Sequence, residues 1–396
     1  MNGTGETKKL NCPGCGTEGL RVFYEIENVP AHSVLLMLTR EDAVNYPRGD
    51  IALGFCRDCG LISNTLFDPR LHEYSSRYEE TQGFSPTFNA FARKLADHLI
   101  ERYGLRGKTV LEIGCGKGEF LNLLCERGGN SGVGFDPAYV SGREGNEAGD
   151  RVVFVKDFYS EQYSYYEADF VICKMSLEHI QGVSEFVGTV RRSLGDISTA
   201  TVFFQVPDVA RILRELAFWD IYYEHCSYFS ATSLARLFAR CGFDVMDLWT
   251  DFDDQYLMIE ARPGNGRPVE RRENQIEELE REVEYFSVNC ARKINEWKRN
   301  LKRLKREGRR VVLWGAGSKA VAFLTSLGVE TEIEYAVDIN PHKHGTYIAG
   351  SGQEIVSPEF LSKYKPDFVI LMNPVYRDEI GQSLEKMSLD AEVIAV

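Results

Sequence analysis

The sequence predicts an α/β protein of several domains, and three observations predict it. Two glycine-rich turns each follow a short apolar strand and open a helical apolar period, and two matched Cys-x-x-Cys pairs lie near the start. A length of 396 residues exceeds one ordinary domain. Apolar residues make up 43%, no apolar run is long enough to cross a bilayer, and "MNGTGETKKL" has no apolar signal core. A cytoplasmic location is the expectation. The net charge of -13 speaks against a general binder of nucleic acid or anionic membrane. A small-molecule substrate or a local basic pocket stays open.

The cysteine pairs come first. "CPGC" and "CRDC" supply Cys12, Cys15, Cys56 and Cys59, and each pair is followed by glycine, Gly16 or Gly60. Such a knuckle aims two thiolates at one point, and the glycine permits the sharp turn. Four thiolates complete a closed tetrahedral site, so the pattern predicts structural zinc with no open position for chemistry. A thioredoxin-like redox pair is the alternative; it wants an adjacent βαβ unit that the sequence lacks here. The forty residues between Cys15 and Cys56 form an inserted lobe.

Next, "KTVLEIGCGKGEFLNLLCERG" gives a strand from Thr109 to Ile113, a turn with Gly114, Gly116 and Gly118, and a helix carrying Phe120, Leu121, Leu123 and Leu124. A second strand ends in Asp136, 24 residues after Glu112, where an acid meets a ribose diol. A third strand ends in Asp157 and Phe158, and "ADFVICKMSLEHI" is a fourth strand running into a helix. This run resembles the class I methyltransferases that use S-adenosylmethionine. The resemblance implies that the glycines face the methionine part of the cofactor, that Asp136 takes the ribose, and that Asp157 and Phe158 take the adenine. Glu112 also suits that cofactor, which carries no phosphate to repel it. His179 in "LEHI" reads as local packing or a turn at the site mouth.

The stretch "IYYEHCSYFS" crowds Tyr222, Glu224 and His225 among aromatics. With the helix that follows, it resembles the Y-x-E-H-x-S-Y-F-S pattern of the sugar C-methyltransferases, which join a zinc lobe, a methyltransferase core and a C-terminal αβα domain. Carbon beside a ketone becomes a nucleophile only after losing a proton, so this chemistry needs a base and a group that stabilises the enolate oxygen. His225 suits the first task and Tyr222 the second; Glu224 is expected to orient the imidazole or bind sugar hydroxyls. Upstream, Tyr74 and Tyr78 fit the family's tyrosine run, and Tyr78 is expected near substrate. Glu80 stands at its third tyrosine, and Thr81 and Gln82 replace its paired serines. Methyl transfer to oxygen or nitrogen of a sugar is the alternative that these departures leave open.

After "ARPGNGRP", apolar residues from Ile276 to Leu304 recur at steps of three and four, which predicts one helix of about thirty residues, acidic at its start and basic at its end. "RRVVLWGAGSKAVAFLTSLG" then opens the second unit, with Gly315, Gly317, Ala320 and, 23 residues after Gly315, Asp338. Read alone, this is a dinucleotide fingerprint, and an NAD-dependent oxidoreductase is the rival it raises. The family resemblance instead implies a site for the nucleotide-sugar, with Lys319 meeting a phosphate at the helix N-terminus. The expected division is a zinc lobe at 1–72, a methyltransferase core at 73–262, a linker helix at 263–308 and the αβα domain at 309–396, with Zn2+ and S-adenosyl-L-methionine as cofactors and no nucleic-acid or membrane partner. A binding protein that keeps S-adenosylmethionine as a regulator is a third reading. The oligomeric state is not legible.

Overall fold

The computed structural model describes residues 11–72, 74–143, 149–195, 199–266, 275–329 and 331–396. The first strands build a small antiparallel sheet: β1 (Arg21–Pro30) pairs with β2 (Arg48–Phe55), and β2 with β3 (Ile62–Asn64), around the short helix α1 (Arg40–Val44). Helix α2 (Pro86–Tyr103) then enters the core. Ser85 caps it by accepting from the Phe88 amide, a proline occupies its first turn, and Gly104 ends it at φ 60°.

Strands β4 (Thr109–Ile113), β5 (Ser131–Phe135), β6 (Val152–Val155), β7 (Phe170–Lys174) and β8 (Thr201–Pro207) pair in parallel. Helices α3 (Glu119–Gly128), α4 (Val183–Leu194), α5 (Val209–Glu215) and α6 (Ala231–Arg240) pack around them. The short strand β9 (Ser227–Tyr228) leaves this core and pairs with β3, Tyr228 opposite Ile62 and Ser227 opposite Ser63. The lobe expected to end at residue 72 therefore takes its fourth strand from the aromatic–histidine segment. Strands β10 (Phe243–Asp251) and β11 (Tyr256–Pro263) finish the large sheet, whose order is β10-β11-β8-β7-β4-β5-β6 with β11 antiparallel to its neighbours. This is the class I methyltransferase fold. Both faces are covered, which is why β8 reads as a continuous apolar run: Val202, Phe204 and Val206 belong to one core and Phe203 to the other.

Two of the predicted strands end differently from the expectation. The third strand stops at Val155, so Asp157 and Phe158 lie just beyond it, and a 3-10 turn at Leu177–His179 separates β7 from α4.

Helix α7 (Gln275–Arg306) runs for 32 residues and buries Leu279, Val283, Phe286, Cys290, Leu301 and Leu304. That stripe packs within the chain, in one hydrophobic cluster with β1, α5 and the helix of the last domain. The last domain has five parallel strands: β12 (Val311–Trp314), β13 (Tyr335–Val337), β14 (Glu354–Val356), β15 (Phe368–Leu371) and β16 (Glu392–Ala395), in the order β14-β13-β12-β15-β16. Helices α8 (Ser318–Leu327), α9 (Leu361–Tyr364) and α10 (Arg377–Lys386) connect them. In both of these sheets the order of the parallel strands reverses beside the first of them, at β4 and at β12, and a crevice opens there at the carboxyl ends. Direct bonds join the parts. Gln255 and Asn373 exchange amide hydrogen bonds of 2.9 and 3.0 Å, Ser85 donates to Glu379 at 2.7 Å, and Arg48 reaches the Gly350 carbonyl at 2.7 Å. Among the described residues no helix is long and apolar enough to cross a membrane.

Candidate active site

Both crevices open into one cavity of about 1050 Å³, bordered by the two glycine turns and by Tyr222 and His225. At the first turn Gly114 has φ 70° and Gly116 φ 55°, a conformation that side chains disfavour. A Cβ on Gly114 would stand 2.0 Å from the Ser176 hydroxyl, and one on Gly116 2.6 Å from Glu80 Oε1. Gly118 does not border the cavity. It starts α3, and the Phe154 ring lies 2.4 Å from where its Cβ would be, so the glycine lets α3 pack closely against β6. Asp136 accepts from the Gly116 amide at 2.9 Å and from the Ala138 amide at 2.7 Å. Burial raises the Asp136 pKa against the pull of these amides.

Acids gather around this turn. Glu112 on β4 is buried with its Oε2 unpartnered among the described residues, and burial pushes its pKa up to about 7. Lys174 at the end of β7 is its counter-charge; its ammonium sits 3.4 Å from the centre of the Phe120 ring, and burial lowers it to about 8. Glu80 lies 3.6 Å from the Lys117 ammonium, and burial raises it to about 7. Asp157 accepts from the Tyr163 hydroxyl at 2.5 Å, while Phe158 is 58% exposed with its ring edge-on to Tyr74 at 5.5 Å.

The second turn repeats the backbone and changes the charges. Gly315 has φ 103°, and Gly317 caps α8 in open space, where a Cβ would meet nothing within 4 Å. Asp338 accepts from the amides of Ala316 and Asn340, both at 2.9 Å, and also faces the Lys343 ammonium at 3.4 Å. Lys319 is not aimed past the N-terminus of α8 as predicted. It hydrogen-bonds Asp220, whose other oxygen takes Arg211 at 3.0 Å, because Asp220 closes a 3-10 turn directly beneath α8.

The aromatic–histidine segment is pinned at both sides. The Cys226 amide donates to the Glu178 carbonyl at 3.0 Å, and the Asn64 amide to the Cys226 carbonyl at 2.9 Å. His225 is buried, its ring 4.1 Å from that of Tyr222 and 4.8 Å from that of His179. Burial, with His179, Lys319 and His72 nearby, holds the imidazole well below its ordinary pKa, so it is neutral at pH 7. Burial keeps the Tyr222 phenol protonated.

Glu224 does not touch His225 or border the cavity. Its carboxylate turns the other way, to His32 Nδ1 at 2.8 Å, the Ser33 amide at 2.9 Å and the Ser33 hydroxyl. Burial alone would raise its pKa; His32, His179 and Ser33 outweigh it and hold the group below the ordinary value. Adjacent residues on an irregular segment point apart, and the predicted pairing fails for that reason. Instead Glu178 Oε1 lies 3.9 Å from His225 Nε2. Glu178 was in view in "LEHI", one place before the histidine. His72, which stacks on His32 at 4.6 Å, carried no such signal. Tyr78 borders the cavity with its ring 5.9 Å from that of Tyr74.

Away from the cavity, the four cysteine sulfurs lie within 4.8 Å of one another, with Cys12–Cys59 at 3.5 Å and Cys15–Cys56 at 3.6 Å. A tetrahedron with metal–sulfur bonds of about 2.3 Å has edges of about 3.8 Å, so these residues fit one zinc ion. Gly16 and Gly60, both at φ 80°, make the turns.

Two family descriptions match along the chain: a methyltransferase domain at residues 88–248 and a C-methyltransferase C-terminal domain at residues 269–394. The C-methyltransferase NovU of Streptomyces niveus is 30% identical over 342 residues, covering 82% of this chain and 80% of that protein. The chain belongs to the C-methyltransferase family. It is thus an S-adenosylmethionine-dependent methyltransferase. A ubiquinone biosynthesis O-methyltransferase of Escherichia coli O127:H6 is 29% identical over 138 residues, 32% of this C-methyltransferase and 57% of that protein. Among solved structures, the 1,6-didemethyltoxoflavin-N1-methyltransferase of Burkholderia thailandensis covers 46% of this chain and 82% of its own at 17% identity, with a TM-score of 0.35. Family membership displaces the oxidoreductase reading of the second turn.

Proposed function

We propose that the enzyme methylates the carbon beside the ketone of a nucleotide-activated keto-sugar. The observation that carries this reading is the neutral imidazole of His225 beside the protonated phenol of Tyr222, on the wall of a cavity that reaches both glycine turns. A reaction at oxygen needs only a base. Carbon needs a base and an oxyanion donor together.

In this reading S-adenosylmethionine lies over Gly114 and Gly116, with Asp136 at its ribose and Asp157 and Phe158 near its adenine. Glu112, whose Oε2 has no hydrogen-bond partner among the described residues, and the acids around it suit a ligand with a sulfonium and an ammonium. When bound, the cofactor supplies an electrophilic methyl group. The sugar nucleotide lies toward Gly315 and Gly317, where the Lys343 ammonium favours an anion and Tyr78 borders the sugar end. His225 takes the α-proton, and Tyr222 donates a hydrogen bond to the developing enolate oxygen. Glu224 holds the segment to the lobe through His32 and Ser33.

The test is incubation of labelled S-adenosylmethionine with dTDP-, GDP- and CDP-linked keto-sugars, followed by NMR of the product. A new carbon–methyl bond is expected; label on oxygen would sink the proposal. His225→Ala should lower turnover by at least ~100-fold and leave S-adenosylmethionine affinity nearly unchanged. We also assign one zinc per chain to Cys12, Cys15, Cys56 and Cys59. Metal analysis of protein never exposed to chelator checks this, and less than about half an equivalent would remove the assignment.

A further inference from the structure

Glu224 is committed to His32 and Ser33, which leaves His225 without the acid that stands beside it in the sequence. A buried imidazole that accepts a proton becomes a buried cation, and that state needs a counter-charge. His179, Lys319 and His72 around it all oppose the cation. Glu178 meets the need. Its side chain is 1% exposed, neither oxygen has a hydrogen-bond partner among the described residues, it borders the cavity, and Oε1 stands 3.9 Å from His225 Nε2. Its backbone carbonyl also receives the Cys226 amide, so the two chain segments are already fixed against each other. A small side-chain rotation closes the remaining gap, as hydrogen bonds at such sites often tighten only with substrate bound.

We propose that Glu178 is the counter-charge of the working base: His225 Nε2, the ring nitrogen left open while Nδ1 is sealed in the interior, takes the α-proton, and the imidazolium so formed faces the Glu178 carboxylate 3.9 Å away. This rests on the reading of His225 as the base. The step balances without any other reagent. The α-proton moves from carbon to Nε2, its electron pair stays behind in the enolate, and the imidazolium faces the ionised Glu178 until its proton leaves to solvent after methyl transfer. The titratable groups facing this carboxylate are His225 and His179, the thiols of Cys173 and Cys226, and the phenols of Tyr74, Tyr222 and Tyr256. None of these is a fixed cation. Burial accordingly raises Glu178 to about 8, and the paired, ionised form accumulates only as pH rises through that value.

The experiment is exchange of the α-proton of the dTDP-linked keto-sugar, with the GDP- and CDP-linked forms in parallel, into deuterated water with S-adenosylhomocysteine bound. Wild type should show a rate that climbs through about pH 8. Glu178→Gln should exchange about 100-fold more slowly at pH 9, lose that rising limb, and bind S-adenosylhomocysteine as before. Glu178→Asp should restore the limb in part. If His225→Ala abolishes exchange but Glu178→Gln keeps the wild-type rate and profile, the base stands and Glu178 falls. Exchange surviving in His225→Ala, or absent in wild type with all three sugars, overturns both assignments. Should the glutamine variant fail to fold, a wild-type profile that is flat from pH 6.5 to 9 overturns the role of Glu178.

Discussion

The two glycine turns share one backbone device and differ in everything around it. In each, an acid at the end of the second strand accepts from an amide in the turn and from one two residues after itself: Asp136 from Gly116 and Ala138, Asp338 from Ala316 and Asn340. The first turn is hemmed in by Ser176 and Glu80 and ringed by acids; the second opens onto free space at Gly317 and has Lys343 on its acid. A glycine spacing therefore announces a close approach to some ligand, and the neighbouring charges decide which kind. Acids suit the cationic methyl donor, and ammonium groups suit a phosphate.

Alanine is the bluntest way to break the comparison. Gly114→Ala puts a side chain at φ 70° against Ser176 and should weaken S-adenosylmethionine binding by ~100-fold or more, whereas Gly317→Ala should leave both that affinity and the melting temperature nearly unchanged. Equal effects in calorimetry would mean that the turns are alike after all. A smaller effect should separate the acids. Asp136→Asn is expected to weaken the methyl donor about tenfold with little change in the KM of the sugar. Asp338→Asn should raise that KM and lower stability by about 1–3 kcal/mol, because Lys343 loses its charge partner. The smallest is a pH effect confined to the first turn. Glu112 is raised to about 7, so below that pH it is protonated and a cationic ligand must displace the proton. Affinity for S-adenosylmethionine should therefore rise several-fold from pH 6 to 8 and then level off. Calorimetry in two buffers of different ionisation enthalpy would record the proton release; a flat affinity would remove Glu112 from the site.

What was legible in the sequence is what local spacing encodes. Thr109–Ile113, the helix through Leu124 and the stripe of α7 declare themselves by period, and the cysteine knuckles by their repeated Cys-x-x-Cys-Gly. The departures from expectation share one cause. Gly118, Glu224 and Lys319 take their expected roles from position in a motif, and each is claimed by a residue far away in the chain: Phe154, His32 and Asp220. Side-chain direction on an irregular segment is set by such distant partners, which no spacing rule reports. The same holds for β9, two residues long and without any strand period of its own.

That short strand sets a schedule for synthesis. Asn64 at the end of β3 and Ser227 at the start of β9 are separated by about 160 residues, which a ribosome adds at roughly 5–20 residues per second. For something like ten to thirty seconds the nascent lobe exposes β3 as an open edge, and at three residues it is too short to recruit a foreign strand readily. His225 reaches its place only when that edge is filled. Completion of the first lobe and assembly of the catalytic wall are thus one late event in the life of each new chain.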